Sequence, residues 1–580
     1  MFQSDGLTPQ VLVPGDGGQV SPPTKAAQGR DPVKWLSIGQ LRRTALEVVQ
    51  ASVFAKFADK RETMSGCPRE FYRLPTTDRA VWVDYVADTG DGFEATFATA
   101  RGLAGVEDDG TPIPVAGLET ELKDRPHQAH LLVMGGDQVY PVASVDEYRE
   151  RLLKVFGQAS RGKVHGRPPV VALPGNHDWY DGLVAFRRVF CESWALNQRA
   201  RQRSGMVDLP AVRDDMGGWG AFQSRSYFAV QLSPRWWLWG VDSQLEAAID
   251  AEQLSYFAEA ATHLDGAGII LCTATPCWME ADTGAVYEAD EQTPLFTMLW
   301  FLERILGAGW RDRVRLILTG DSHHYAHYAP SEGIGPDLVT CGGGGAFLSG
   351  THHLPDTLKP AWRPWDAGSD NTTYKLKHRY PSKDDSRRQT TRFRFLAAAY
   401  RNGVDFPLLA GVVHALIFLA VLLRGPVLIT IVAVVIAVLF GAYAASGVKG
   451  HRPGWPRKFA MFGLTIGHAA LHAGPAFLVA WLGFGWELGG HEPWVYAVTA
   501  VGMVVLGTVV FVSYLHLADG FGYHTLEAYS GLRIEDYKCH LRLRVTADQV
   551  EVYVIGMDKV TAPLTKVEAF PVKRFPEPRG

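Results

Sequence analysis

Four long apolar runs in the carboxy-terminal half constrain this 580-residue chain more than any other feature of its sequence. They are Phe406–Leu423, Val427–Ser446, Phe459–Trp481 and Trp494–Leu517. A helix of about 20 apolar residues crosses a bilayer core of about 30 Å. We therefore expect four transmembrane helices within residues 405–518. The alternative is a set of buried helices in a large soluble core.

The flanking residues predict the orientation of these spans. The amino terminus has no basic segment followed by an apolar one, so it does not resemble a secretory signal. Basic residues lie between the second and third runs, whereas "ELGGHEP", between the third and fourth, has none. The basic residues are Lys449, Arg452, Arg457 and Lys458. We expect an integral protein of the cell membrane with the amino-terminal domain and both termini in the cytoplasm.

The net charge and the cysteine content limit the possible binding partners and indicate the redox state of the compartment. The net charge is −4 and no nucleic-acid-binding motif is visible, so we expect no nucleic-acid partner. Six cysteines without paired-ligand spacing suit a reducing compartment. Residues 371–404 are predicted to be a basic juxtamembrane linker that contributes about 1 kcal/mol per basic residue when it binds anionic lipid headgroups. An ordinary solvated linker is the alternative.

Residues 79–370 alternate short apolar runs with polar helical stretches, a pattern typical of an α/β domain. The runs include "VWVDYVAD", "HLLVMGGD", "VVALPGNHD", "WWLWGVDS", "GIILCTATP" and "VRLILTGD". Several end in a turn with an acidic, amide or imidazole side chain. Ligands of open α/β sheets bind beyond the carboxyl ends of strands, so these turns predict one shared site.

The ordered motifs "ADTGDG", "GGDQVYP", "PGNHDWYDG" and "GDSHHY" resemble the calcineurin-like metallophosphoesterase family, over residues 80 to 350. The resemblance implies a β-sandwich flanked by helices and two divalent ions, of Mn, Fe, Zn or Mg. By this resemblance Asp137 bridges the ions, Asp88 and His323 bind the first, and Asn176 binds the second. His177 resembles the residue that contacts the phosphate and protonates the leaving group, with Asp178 as its orienting partner.

The sequence departs from the family pattern at three positions. Gly90 replaces a ligand histidine, but purple acid phosphatases share this feature and use a tyrosine that corresponds here to Tyr140. Ala274 stands two residues before Pro276, where a ligand histidine is expected, and Asp321 replaces the first histidine of the last motif. Asp321 is therefore a substitute ligand, and His324 is a candidate for contact with substrate or metal. The last two changes predict a weakened second metal site.

These features predict a membrane-anchored phosphoesterase that hydrolyses a phosphate ester with a metal-activated water, and they favour an ester at the membrane surface as the substrate. The alternative is a decayed metallophosphoesterase that acts as a membrane sensor or scaffold. Residues 1–35 are expected to be a disordered arm, 36–78 a helical segment and 519–580 a small cytoplasmic β element. Histidines in or near the spans could form a second, intramembrane metal site or simply hydrogen-bond between helices. They are His414, His468, His472 and His516.

Overall fold

A computed structural model describes the chain in segments, with the core of the amino-terminal half and the carboxy-terminal part both covered. The described residues are 29–43, 64, 66–67, 69–74, 80–106, 111–121, 128–160, 167–191, 205–208, 219–244, 249–279, 294–332, 335–360, 372–391, 462–471 and 493–574, with a few positions between 394 and 459.

The protein is a mixed α/β protein with two mixed sheets. In chain order the strands are β1 (Glu70–Arg73), β2 (Val81–Val86), β3 (Val115–Ala116), β4 (Leu131–Met134), β5 (Pro169–Ala172), β6 (Gly205–Asp208), β7 (Gly220–Ala221), β8 (Phe228–Ser233), β9 (Trp236–Gly240), β10 (Gly268–Cys272), β11 (Val314–Thr319), β12 (Tyr325–Pro330), β13 (Asp337–Cys341), β14 (Thr357–Leu358), β15 (Tyr374–Tyr380), β16 (Lys538–Val545), β17 (Gln549–Met557) and β18 (Leu564–Lys573). The apolar runs of the α/β pattern are thus confirmed as strands.

One sheet has the order β14-β15-β12-β13-β11-β10-β9-β8-β1-β6, and the other has the order β3-β18-β17-β16-β2-β4-β5-β7. Parallel strands form the centre of each sheet: β9, β10, β11 and β13 in the first, and β2, β4 and β5 in the second. Side chains from both sheets share one buried apolar core, which includes Val83, Val133, Leu238, Leu316 and Val552. This core holds the two sheets together through apolar burial.

The last three strands, within the predicted carboxy-terminal β element, belong to the second sheet. Strand β16 pairs with β2 in antiparallel register, which places Arg542 opposite Asp84. Arg542 donates two hydrogen bonds, of 2.7 and 2.6 Å, to the buried Asp84 carboxylate. A bidentate arginine–carboxylate pair fixes geometry as well as charge. The carboxy-terminal strands β16, β17 and β18 therefore belong to the same sheet as β2, the strand that precedes the motif "ADTGDG".

Two other predicted segments differ in the structure. The first part of the predicted basic linker is strand β15, which pairs with β12. The lysines of β15 are exposed while Tyr374 is buried, so exposed and buried side chains alternate along this strand. The high content of basic residues made this alternation hard to see in the sequence. Within 36–78, predicted to be helical, residues 38–43 are helical but β1 is a strand.

The helices are α1 (Phe93–Ala104), α2 (Val145–Glu147), α3 (Lys154–Ala159), α4 (Asn176–Trp179), α5 (Val184–Phe186), α6 (Ala251–Ala261), α7 (Pro294–Leu306), α8 (Trp310–Arg313), α9 (Lys383–Gln389), α10 (Pro493–Gly520) and α11 (Thr525–Leu532), with π-helical turns at Tyr148–Leu153 and Arg187–Cys191. Their ends follow local chemistry: α1 ends at Gly105 with φ of 70°, and the Asp250 side chain caps α6 by accepting from the Gln253 amide.

The predicted spans are only partly covered by the described residues. The first two, apart from a few positions, and much of the third lie outside them, as do His414 and His472. Within the described part of the chain, no helix has the length and apolar character needed to cross a membrane. The His468 ring stacks on Tyr514 of α10, with ring centroids 4.0 Å apart.

Candidate functional site

The strand-end turns of β2, β4 and β11 share an unusual backbone conformation. Asp88, Asp137, Asp321 and His323 have φ values of 58°, 50°, 66° and 49°. Positive φ is uncommon for residues other than glycine and disfavours L side chains sterically. Such strained positions cluster at functional sites, where the surrounding structure enforces them. These turns therefore mark the carboxyl rim of the parallel strands as a candidate site.

Tyr140 lies at the centre of this rim. Its hydroxyl oxygen is 2.9 Å from Asp88 Oδ1, 3.3 Å from Asp137 Oδ2 and 2.9 Å from His323 Nε2. The His323 Nε2 atom lies 3.7 Å from Asp88 Oδ1. Three predicted first-metal ligands, from three separate turns, thus converge around the phenol oxygen of the fourth, Tyr140.

His177 is held by groups other than the predicted one. Its amide donates to Asp137 Oδ1 at 2.9 Å, and its Nδ1 lies 2.6 Å from the carbonyl oxygen of Pro141. Asp178 instead accepts from the amides of Gly175 and Gln138 and from the Tyr148 hydroxyl. The orienting partner of His177 is therefore Pro141, and Asp178 joins the second and third motif turns.

The remaining predicted ligands lie around the same rim. Asn176 donates from Nδ2 to the Tyr180 hydroxyl at 3.2 Å, whereas its buried Oδ1 has no hydrogen-bond partner. The Asp321 amide donates to both carboxylate oxygens of Asp88, at 3.1 and 2.8 Å. His324 is buried, and its Nδ1 likewise lacks a partner. These two atoms lie on the same rim as the carboxylates and are available to a ligand.

Glycines let the backbone approach the carboxylates closely. A Cβ atom added to Gly175 would lie 2.1 Å from Asp137 Oδ1, and one added to Gly342 would lie 2.5 Å from Asp88 Oδ2. The Gly run also supports the first turn, since the Ala346 amide donates to the Asp88 carbonyl at 2.8 Å. The tight packing around both carboxylates explains why glycine occupies these positions.

Ala274, which stands where the resemblance predicts a ligand histidine, lies beside the turn that carries Asp137. It follows β10, its carbonyl accepts from the Gly320 amide at 2.9 Å, and its Cβ lies 3.1 Å from the point that a Gly136 Cβ would occupy. Gly136 directly precedes Asp137. The methyl group of Ala274 therefore borders the Asp137 turn, in a position from which a larger side chain would enter the site.

Burial of the side chains is the largest cause of the pKa shifts at the candidate site. It raises the pKa of Asp88 well above its usual range, with further increases from Asp137 and Asp321. Burial also raises the pKa of Asp137 to about 7, although hydrogen bonds from His177 and Tyr140 oppose this shift. Burial lowers the pKa of His323 well below its usual value and that of His324 to about 4. The imidazoles are thus neutral at neutral pH, the form that binds metals.

Sequence reasoning missed the aromatic wall of the site. Trp35, from the end of the predicted disordered arm, makes edge contacts with Tyr140, His177 and Phe347 at centroid distances of 6.1, 5.9 and 5.7 Å. The neighbouring Val33 amide donates to Asp91 Oδ1 at 2.8 Å. No local pattern around Trp35 indicates this position, because the contacts are made to residues more than 100 positions away.

The donor set fits divalent metal ions. It combines buried carboxylates, a phenol, an amide oxygen without a partner and neutral imidazoles. Within the described residues, neither Asp88 nor Asp137 forms a salt bridge with lysine or arginine. Buried carboxylates without a cationic partner are costly, and a bound cation removes that cost.

Comparisons with protein-family models and with curated proteins find no match to this chain.

Proposed function

We propose that this protein is a metal-dependent phosphoesterase of the calcineurin-like type. The observation that carries the proposal is the convergence of Asp88, Asp137 and His323 on the Tyr140 hydroxyl at the ends of β2, β4 and β11. The unpaired Asn176 Oδ1 adds a ligand atom from the end of β5. The same residues follow the order of the family motifs along the chain.

The residues divide into two groups of ligands. Asp88, Tyr140 and His323 would hold one ion, Asn176 and Asp321 would contribute to the other, and Asp137 would be shared. Divalent ions in such a pair lower the pKa of a bound water and stabilise the attacking and leaving oxygens. Replacement of imidazole by Asp321 and loss of imidazole at Ala274 favour harder ions such as Mn²⁺ or Mg²⁺.

The hydrogen bond to Pro141 defines what His177 can do. A carbonyl oxygen only accepts, so Nδ1 of His177 carries the proton and donates. In the neutral ring, Nε2 is then the atom that can accept a proton or contact the phosphate. Burial lowers the pKa of His177, partly opposed by the Pro141 hydrogen bond. A phosphate dianion beside the ring would raise this pKa and favour the protonated form that a general acid requires.

The test is hydrolysis of aryl phosphate monoesters and diesters by the full-length protein in detergent, with Mn²⁺, Mg²⁺, Zn²⁺ or Fe²⁺ supplied in turn. We expect turnover with at least one ion. Asp137→Asn is expected to abolish activity and reduce metal content together. His177→Gln is expected to retain metal and lower turnover by ~10²-fold or more.

Asp146→Asn is the matched control, since it makes the same chemical change at a side chain that is 72 % exposed and outside the site. It should keep both metal and activity. A folded protein that binds no metal and shows no turnover with any ion would instead support the decayed sensor or scaffold. Equal metal loss in the Asp137 and His177 variants would contradict the separate roles.

We also propose that residues 405–518 attach the protein to a membrane, with the site on the cytoplasmic side. The apolar runs support this attachment, as do the exposed Trp494, Val498 and Val501 on α10, at 66, 63 and 64 % exposure. Retention in the membrane fraction after alkaline carbonate washing is the expected result. Release into the supernatant would contradict the proposal.

A membrane-bound site favours a phosphate ester at the lipid surface, such as a phospholipid headgroup. The basic residues of β15 and α9 precede the first apolar run in the chain. We expect faster hydrolysis of phospholipids in vesicles than of nucleotides at equal phosphate concentration. A clear preference for soluble nucleotides would exclude lipid headgroups as the preferred substrate.

A further inference from the structure

A second cluster of metal-type ligands lies outside the strand-end site. We infer that His352, His353 and Asp519 form an additional binding site for a divalent transition-metal ion such as Zn²⁺. One ligand atom from each residue lies within 4.8 Å of the others. This inference rests on these three residues and does not depend on the proposed phosphoesterase activity.

The distances suit a metal. The Asp519 carboxylate oxygens lie 3.6 Å from His352 Nε2 and 3.3 Å from His353 Nε2. Tetrahedral coordination with bonds of about 2.0–2.1 Å separates ligand atoms by about 3.3–3.4 Å. Each imidazole nitrogen is therefore about as far from an oxygen of Asp519 as two ligands of one ion are from each other.

The surroundings orient the ligands. Ser386 Oγ lies 2.9 Å from His352 Nδ1, which leaves Nε2 of that ring to face Asp519. Ser386 itself contacts the Tyr529 hydroxyl at 3.1 Å. Metal-binding histidines commonly use the second ring nitrogen in such a hydrogen bond, which fixes the ring. The hydroxyl pair Ser386 and Tyr529 thus provides the outer support that a metal site needs.

Burial is uneven across the cluster. The side chains of His352 and Asp519 are 6 and 2 % exposed, whereas that of His353 is 28 % exposed. An ion would thus be held from the protein side and remain open to water or another ligand on the other. Two imidazoles and one carboxylate with open positions are a donor set used by Zn²⁺ and by Fe²⁺.

The three ligands come from two separate parts of the fold, so a bound ion would link them. The two histidines lie in the loop between β13 and β14, and Asp519 lies at the end of α10. The same loop contains Phe347, whose ring is 4.5 Å from that of His323, and Ser349, whose amide donates to the His323 carbonyl. An ion bound by all three residues would therefore tie the end of α10 to the loop that supports the candidate active site.

The experiment is a count of Zn²⁺ in the full-length protein after metal stripping, reloading with Zn²⁺ and removal of free ion. We expect Asp519→Asn to hold one Zn²⁺ fewer per chain than wild type. Asp519→His, which keeps a ligand atom but not the negative charge, should retain that ion. Asp137→Asn should also retain it, so loss of the strand-end metals is distinguishable from loss of this one.

Glu527→Gln is the matched control. Glu527 pairs with His524 at 3.4 Å, and among the described residues no third ligand completes a group of metal type there. The zinc content of this variant should therefore equal that of wild type. His353→Gln, at the most exposed ligand, repeats the test should Asp519→Asn fail to fold. Unchanged zinc content in folded Asp519→Asn or His353→Gln would overturn the inference. Zinc loss in folded Asp519→His would do so as well.

Discussion

The buried pair Asp84–Arg542 allows a quantitative test of how the carboxy-terminal strands join the fold. Its side chains are 1 and 2 % exposed, and two hydrogen bonds link them across β2 and β16. Arg542→Leu leaves the Asp84 carboxylate buried without its partner. Breaking a buried ion pair in this way destabilises proteins by about 3–5 kcal/mol. We expect a loss of that size in the free energy of unfolding.

The double variant Asp84→Leu/Arg542→Leu separates the charge effect from packing. It removes both charged groups, and such replacements are often neutral or stabilising. We expect its free energy of unfolding to lie within about 1 kcal/mol of wild type, or above it. The double variant should therefore be more stable than either single variant.

The assay is urea unfolding of the full-length protein in detergent, with tryptophan fluorescence as the measured signal. The buried Trp236, Trp237 and Trp239 of β9 report on the first sheet. The control is Arg544→Leu, also on β16, which breaks the partly exposed pair with Glu551 and should cost at most about 1 kcal/mol. Equal losses for Arg542→Leu and Arg544→Leu would refute the reasoning, because burial is the only intended difference between the two pairs.

Four further outcomes are expected. Ala274→His should raise the Mn²⁺ affinity or stoichiometry, measured by calorimetry, since the Ala274 methyl borders the Asp137 turn; lower activity at unchanged metal content would mean that residue 274 faces something else. Gly175→Ala should lower metal content, measured by elemental analysis, because its Cβ would lie 2.1 Å from Asp137 Oδ1, and unchanged content would show that the turn can move. Trp35→Ala should change KM by several-fold more than it changes kcat, and an equal change in both would contradict a role in shaping the pocket wall. Burial lowers the pKa of His327, but hydrogen bonds to Asp337 and Glu568 outweigh burial, and the pKa is raised overall. The contribution of His327 to the free energy of unfolding is therefore full below about pH 6.5 and is lost as the pH rises through the raised pKa. The difference in unfolding free energy between wild type and His327→Gln should therefore shrink as the pH rises above about 6.5, and a difference that grows with pH would contradict this sign.

The site residues could be predicted from the sequence because each lies in a short motif of neighbouring residues. Each motif places a polar side chain directly after a buried strand, and the carboxyl ends of parallel strands meet at one edge. The structure brings Asp88, Asp137, Tyr140 and His323 together as this argument requires. What the motifs did not indicate is which neighbour orients His177, since a backbone carbonyl such as that of Pro141 has no sequence signature.

The two-residue and helical periodicities of the sequence determined which segments are strands and helices in the α/β part, because that information lies within a few neighbouring residues. Tertiary structure alone decided where β16 pairs, since a strand's edges can accept many partners; the pairing with β2 brings Arg542 to Asp84, 458 positions away. It also decided that Trp35 covers the site and that His352, His353 and Asp519 meet. Contacts of this kind depend on how distant segments fill one core and pair buried charges, which no local pattern records.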